Sequence, residues 1–166
     1  GKASTVMTTK GDIVTYSTER VRKAVGNNSQ ILVCDSSDAD GNKYTNNDNP
    51  IIIACSDETS DLVVGDDKAQ IRLPYQFELT SVSANVNTAP TGSTISIQIQ
   101  EDGSDILSTP ITIDASETTS ESAAVPPVIS DSTLASNSII SIDLDQIGSS
   151  TAGTGLKVNL VGYKIV

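Results

Sequence analysis

Ile95-Ser96-Ile97-Gln98-Ile99-Gln100 and Ile140-Ser141-Ile142-Asp143-Leu144 decide the fold. In each stretch one aliphatic residue alternates with one polar residue, the period of a strand that buries one face and wets the other. Ile111 and Ile113 repeat the pattern, as do Leu156, Val158 and Leu160. Across residues 77–86 the apolar set changes parity, from Phe77 and Leu79 to Val82, Ala84 and Val86. Such a change predicts a bulge or a crossing between sheets. Turn chemistry punctuates these segments at Ala89-Pro90-Thr91-Gly92, Glu101-Asp102-Gly103, Pro126-Pro127, Gly148-Ser149 and Gly153-Thr154-Gly155. About eight short strands in roughly 100 residues predict an all-β domain over residues 66–166. The expected architecture is an antiparallel two-sheet β-sandwich, jelly-roll-like in its wiring. Helix signal is nearly absent.

Composition agrees with that reading. The 166 residues suit one ordinary domain, or a domain with an arm, and leave little room for a two-lobed enzyme. Ser and Thr number 23 and 18, and with Gly, Asn and Asp they favour strand faces and turns over helix interiors. The 21 acids outweigh 10 bases for a net charge of −11, a field that repels phosphate and anionic headgroups and argues against nucleic-acid or membrane partners. With no histidine, the commonest metal ligand and the ordinary neutral-pH base are missing. Neither a run of 18 apolar residues nor a basic-then-apolar leader occurs, which predicts a soluble protein that is intracellular when made or already stripped of its leader.

The front of the chain is different. Residues 1–50 carry six bases and six acids, and residues 51–166 carry four bases and fifteen acids. Short strands are expected at residues 12–16, 20–25, 30–34 and 51–55. A polar stretch over residues 35–48 reads as loop, and Val64-Gly65-Asp66-Asp67 as a second break. Residues 1–60 are too poor in bulky apolar side chains to stand alone as a fold. The runs Ile31-Leu32-Val33 and Ile51-Ile52-Ile53 therefore need cover from the sandwich or from another copy of the chain. Residues 1–60 are thus expected to form a docking or trimerisation element. Its interface residues are Thr9, Lys10, Gly11, Asp12, Arg20, Arg22, Ile31, Leu32, Ile51, Ile52 and Ile53.

Residues that could carry chemistry each have a plainer reading. Asp38-Ala39-Asp40-Gly41 resembles the middle of a calcium loop, but the first and twelfth ligand positions fall on Ser36 and Asn47, so a polar turn is expected. A looser oxygen site around Asp66 and Asp67 has no spacing to support it. Carboxylate pairs for glycoside cleavage are guaranteed by abundance alone, and the aromatic faces that grip sugars are reduced to one Phe and four Tyr, with Tyr44, Tyr75 or Tyr163 the available platforms. No lysine stands in a Ser-x-x-Lys arrangement with a serine nucleophile. No catalytic, cofactor-binding or metal-ligating residues are assigned, and no enzyme activity is expected. Cys34 and Cys55 each end an apolar strand and read as small buried hydrophobes, with a disulfide between them as the alternative. Arg20-Val21-Arg22-Lys23, the one basic cluster, is either a solvated strand face or a contact to an acidic partner.

Two segments resemble structural proteins of tailed bacteriophages. Thr8-Thr9-Lys10-Gly11-Asp12-Ile13-Val14, Val21-Arg22, Val25-Gly26, Gln30-Ile31-Leu32 and Asp35-Ser36-Ser37 are similar to an element common in phage fibre and virion-surface proteins. The chain departs from it with Lys23-Ala24 in place of Leu-Pro, Asn28-Ser29 in place of Asp-Gly, and Tyr44 near the position of a usual Trp. A second set runs from Asp67-Lys68-Ala69-Gln70-Ile71-Arg72-Leu73-Pro74-Tyr75 through Thr88-Ala89-Pro90-Thr91-Gly92-Ser93 to Gly153-Thr154-Gly155-Leu156-Lys157. It is similar to a sandwich module of phage tail or head-fibre-type proteins. The resemblance implies a non-enzymatic virion component made in the bacterial cytoplasm, commonly a homotrimer. Its implied partners are itself, the major capsid protein or tail and head structural proteins, and a host surface glycan. A carbohydrate-binding sandwich module is the alternative.

Overall fold

The computed structural model describes residues 10–16 and 20–165. The chain divides into two compact units, one ending at Asn47 and the other running from Asp48 to Ile165. The first holds two antiparallel hairpins. Strand β1 (Ile13–Tyr16) pairs with β2 (Arg20–Lys23), and β3 (Gln30–Cys34) pairs with β4 (Asn42–Asn46).

Strand β4 corrects the expectation of a loop over residues 35–48. Asn42-Lys43-Tyr44-Thr45-Asn46 has no apolar alternation, yet its full length is in register with β3, Leu32 facing Tyr44 and Cys34 facing Asn42. The loop shrinks to a turn over residues 35–41, closed by hydrogen bonds from the Asp35 amide to the Gly41 carbonyl and from the Gly41 amide to the Asp38 carbonyl, with Gly41 at φ +73°.

The second unit contains β5 (Asn49–Ala54), β6 (Gly65–Arg72), β7 (Phe77–Asn85), β8 (Ile95–Glu101), β9 (Ser104–Asp105), β10 (Leu107–Thr109), β11 (Ile111–Ile113), β12 (Val128–Ile129), β13 (Thr133–Leu134), β14 (Ile139–Gln146) and β15 (Lys157–Lys164). One sheet runs β11-β8-β14-β6, with β9 attached to β8, and the other runs β13-β7-β15-β5. A β10–β12 ribbon and one turn of 3-10 helix (Ser120–Ser122) complete it. The protein is an all-β chain built of antiparallel sheets, as the alternation predicts.

The inward faces are the aliphatic positions read from the sequence. Ile95, Ile97, Ile99, Ile111, Ile113, Ile140, Ile142 and Leu144 from one sheet join Phe77, Leu79, Val82, Ala84, Val158 and Leu160 from the other in a single buried cluster. Burying a side chain of this kind contributes roughly 1.5–3 kcal/mol.

The parity change in β7 is a bulge. Ser81 faces Val161 and Leu79 faces Gly162, so Thr80 is the extra residue, and its hydroxyl donates to the Val161 carbonyl at 3.0 Å. Gly162 is required opposite it, because a Cβ there would lie 2.0 Å from the Glu78 carbonyl oxygen.

Strand β5 pairs with β15 from Asn49 opposite Gly162 to Ala54 opposite Lys157. The boundary between units therefore falls near residue 48 and not near 60. Ile51 and Ile53 obtain their cover from the sandwich of their own chain, since Ile53 is 4% exposed within the core and Ile51 packs against it. Asp66 and Asp67, read as a break, lie inside β6.

Candidate functional site

In the first unit, Gly11 and Asp12 hold the entry of β1 against the residues after β2. Gly11 has φ +94°, a conformation glycine adopts without strain, and a Cβ there would meet a Val25 methyl at 2.9 Å. The Asp12 carboxylate, wholly buried, accepts from the Val25 amide at 3.0 Å and from an Arg22 guanidinium nitrogen at 2.8 Å. Gly26 leaves room for the Tyr44 ring, which a Cβ would meet at 2.6 Å. The Gly-Asp, Val-Arg and Val-Gly pieces of the sequence element thus close on one another within one chain.

Lys23 and Lys43 are engaged in the same unit. The Lys23 ammonium lies 3.3 Å from Asp38 and 3.5 Å from Asp40, and also donates to the Asn42 carbonyl. It occupies the oxygens of the calcium-like stretch, which is a polar turn held by a lysine. Lys43 pairs with Asp35 at 2.6 Å. That ion pair, with hydrogen bonds from Ser37, holds the Asp35 carboxyl far below the usual carboxylate range, and the Asp40 amide and Lys23 lower that of Asp38. Arg22 and Lys23, from the basic cluster, are therefore balanced by carboxylates of their own unit. Arg20 lies in β2.

Aliphatic side chains in this unit face water. Val14, Val25, Ile31 and Leu32 are between 43% and 47% exposed, whereas its buried residues, among those described, are the polar Asp12 and Thr15. Ile31 and Leu32 are adjacent in β3 and so project from opposite faces of a two-stranded ribbon. Lys10 is exposed beside the Gly11 turn, and Thr9 lies outside the described residues. Of the remaining expected interface residues, Ile52 is 64% exposed on the outer side of β5. The expected interface role of Ile51 and Ile53 gives way to packing in the chain's own core.

The sandwich carries a feature that residue-by-residue reading only touched. A recess of about 410 Å³ on the outer side of the β8–β14–β6 sheet is lined by Asp66, Asp67, Gln98, Gln100, Asp105, Asp143 and Asp145. Strand alternation turns Asp143 outward between Ile142 and Leu144, with Asp145 following at the register shift after Leu144, and register places Asp143 opposite Gln98. The Asp67 amide, at φ +51°, donates to Asp143 at 2.7 Å, and Gln100 donates to Asp105 at 2.9 Å. Partial withdrawal from water, then repulsion by Asp143, Asp105 and Asp66, raises the pKa of Asp145. The outward positions are legible as a pattern, but their meeting depends on pairing between distant strands. The lining offers oxygen and amide groups and no ring against which a sugar could stack. Among the described residues no three His, Cys, Asp or Glu side chains converge in a way that could hold a metal ion.

Cys34 is an exposed free thiol, and Cys55 is a buried one whose pKa burial pushes up to about 11. The Tyr75 ring has the Lys164 ammonium 5.3 Å from its centroid. No helix among the described residues is long and apolar enough to cross a membrane. Comparison with protein-family models, curated proteins and solved structures finds no match.

Proposed function

We propose that this chain is a non-enzymatic structural protein of a bacteriophage particle surface, a decoration, head-fibre or tail-fibre-type component that acts by self-assembly and display. The first unit is its assembly element, joining copies as a homotrimer and docking on capsid or tail structural proteins. The sandwich is the displayed body. The observation that carries this reading is the first unit's inverted burial, with aliphatic Val14, Val25, Ile31 and Leu32 in water and Asp12 and Thr15 inside. Two-stranded ribbons of this kind are marginal in isolation and gain stability from a third surface.

Two further features support it. The strand order β13-β7-β15-β5 against β11-β8-β14-β6 is the order we assign to a jelly roll, an architecture common in capsid and lectin domains. The acidic, Ser- and Thr-rich exterior suits a dense array, because like charge keeps neighbouring bodies apart and soluble. Native mass spectrometry of the full chain tests the reading. A discrete homotrimer is expected, and a monomer at every concentration would contradict it.

A further inference from the structure

Charge divides along the same boundary as the fold. Residues 1–47 carry six bases and five acids, whereas residues 48–166 carry four bases and sixteen acids. In the first unit the ammonium and guanidinium groups of Lys43, Lys23 and Arg22 lie on Asp35, Asp38 with Asp40, and Asp12. In the sandwich, among the described residues, the ion pair is Lys157 with Glu58 at 2.9 Å. One part is nearly neutral and bears exposed aliphatic side chains. The other is strongly anionic; it encloses most of its aliphatic residues and exposes Ile52, Val63, Val64, Val125 and Val128 on an acidic body.

We infer that copies of the chain meet first unit to first unit through apolar contact, against mutual repulsion of their sandwiches, so that added salt strengthens the association. This rests on the reading of the first unit as the assembly element and names its partner and its regulation. The surface is the β3–β4 ribbon, Leu32 beside Tyr44 on one face and Ile31 beside Thr45 on the other, together with Val14 and Val25. A second copy fits it better than an acidic partner does, because three of the unit's cations already neutralise carboxylates beside them. It also fits better than the sandwich of another copy, where sixteen acids against four bases surround the exposed aliphatic residues and would leave desolvated carboxylates in the contact. Sandwich repulsion reaches over a screening length of about 10 Å at 0.1 M salt and about 3 Å at 1 M, so sodium chloride weakens the opposing force and leaves the apolar contact intact. A contact driven by Arg22, Lys23 or Lys43 on the acidic sandwich would respond with the opposite sign.

Sedimentation equilibrium of the full chain across a sodium chloride series tests this, with Leu32→Asp as the comparison protein. The association constant of the native chain is expected to rise roughly tenfold between about 0.1 M and 1 M salt, as the screening length shortens. Leu32→Asp is expected to be monomeric throughout, with the sandwich's circular dichroism unchanged. Association that weakens with salt would overturn the inference while leaving the assembly reading in place. Association of Leu32→Asp equal to that of the native chain would overturn the assigned surface. A native chain that is monomeric at every salt concentration would remove the assembly reading itself.

Discussion

The two units differ in what they enclose: among the described residues, the sandwich has a large aliphatic core and the first unit has none. In the sandwich, Ile95, Ile97, Ile99, Ile140 and Ile142 are fully enclosed, and of its carboxylates Asp143 is buried against the Asp67 amide while Asp145 is exposed. In the first unit a carboxylate, Asp12, is enclosed, and Ile31 and Leu32 stand outside. The same aliphatic residue types therefore do different work in one chain. In the sandwich most of them hold a fold together, and in the first unit Val14, Val25, Ile31 and Leu32 are available to another surface. An element held by ion pairs and hydrogen bonds has little stability to spare, since exposed charge pairs contribute at most about 1 kcal/mol each.

Truncation in the two places should separate these roles most sharply. Ile142→Ala removes a side chain with no exposure and is expected to lower sandwich stability by about 2–5 kcal/mol in chemical denaturation. Ile31→Ala should change that same transition by less than about 0.5 kcal/mol while weakening association. Equal losses from both would erase the distinction.

Asp12→Ala comes next. It removes the acceptor of the Val25 amide and one partner of the Arg22 guanidinium, at a cost of about 1–3 kcal/mol, confined to the first unit. Limited proteolysis should then cut residues 12–46 faster and leave the sandwich intact. Unchanged cleavage there would show that the Asp12 contacts do not hold the unit.

Thiol chemistry offers a contrast that needs no substitution. Cys34 should react with an aromatic disulfide reagent near neutral pH in the folded chain, and Cys55 should react only on unfolding, because it is buried and its thiol ionises near 11. Rapid reaction of both would mean that the core around Ile53 and Val158 opens readily.

Much of this was legible in the sequence because alternation is a local signal. The inward aliphatic positions of β8, β11, β14 and β15 follow from their period, and the parity change in β7 marks the bulge at Thr80. Strand β4 was hidden because Asn42-Lys43-Tyr44-Thr45-Asn46 gains its order from pairing with β3 and from the Lys43–Asp35 ion pair. Ile31-Leu32-Val33 and Ile51-Ile52-Ile53 look alike in composition. Only pairing with β15, about 100 residues downstream in contact order, makes one of them part of a core. The recess is half legible for the same reason. Asp143 and Asp145 are outward by alternation, but their proximity to Asp66 and Asp105 is a property of register between strands far apart in the chain.

The smallest effect should be the response to acid, and it too divides the acidic groups. A carboxyl whose folded pKa is raised makes the fold less stable above that value, and the penalty fades as pH falls through it toward the ordinary 3.8; Asp145 belongs to this class. Asp57 is the reverse. The Ser60 and Thr59 amides hold it at about 2, so its contribution is complete above 3.8 and is lost as pH falls from there to about 2. Thermal melts should therefore show a slight gain on mild acidification and a loss below it. Asp145→Asn should remove the gain and keep the loss. A gain that persists in that variant would place its origin elsewhere.

Hydrogen exchange of the full chain, followed by mass spectrometry over a range of protein concentrations, is the most direct test. Amides of β8, β14 and β15 should be strongly protected at every concentration. Amides of β3 and β4 should exchange quickly in dilute solution and become protected only as copies associate. Strong protection of β3 and β4 in a dilute monomer would contradict the claim that this unit is completed from outside itself.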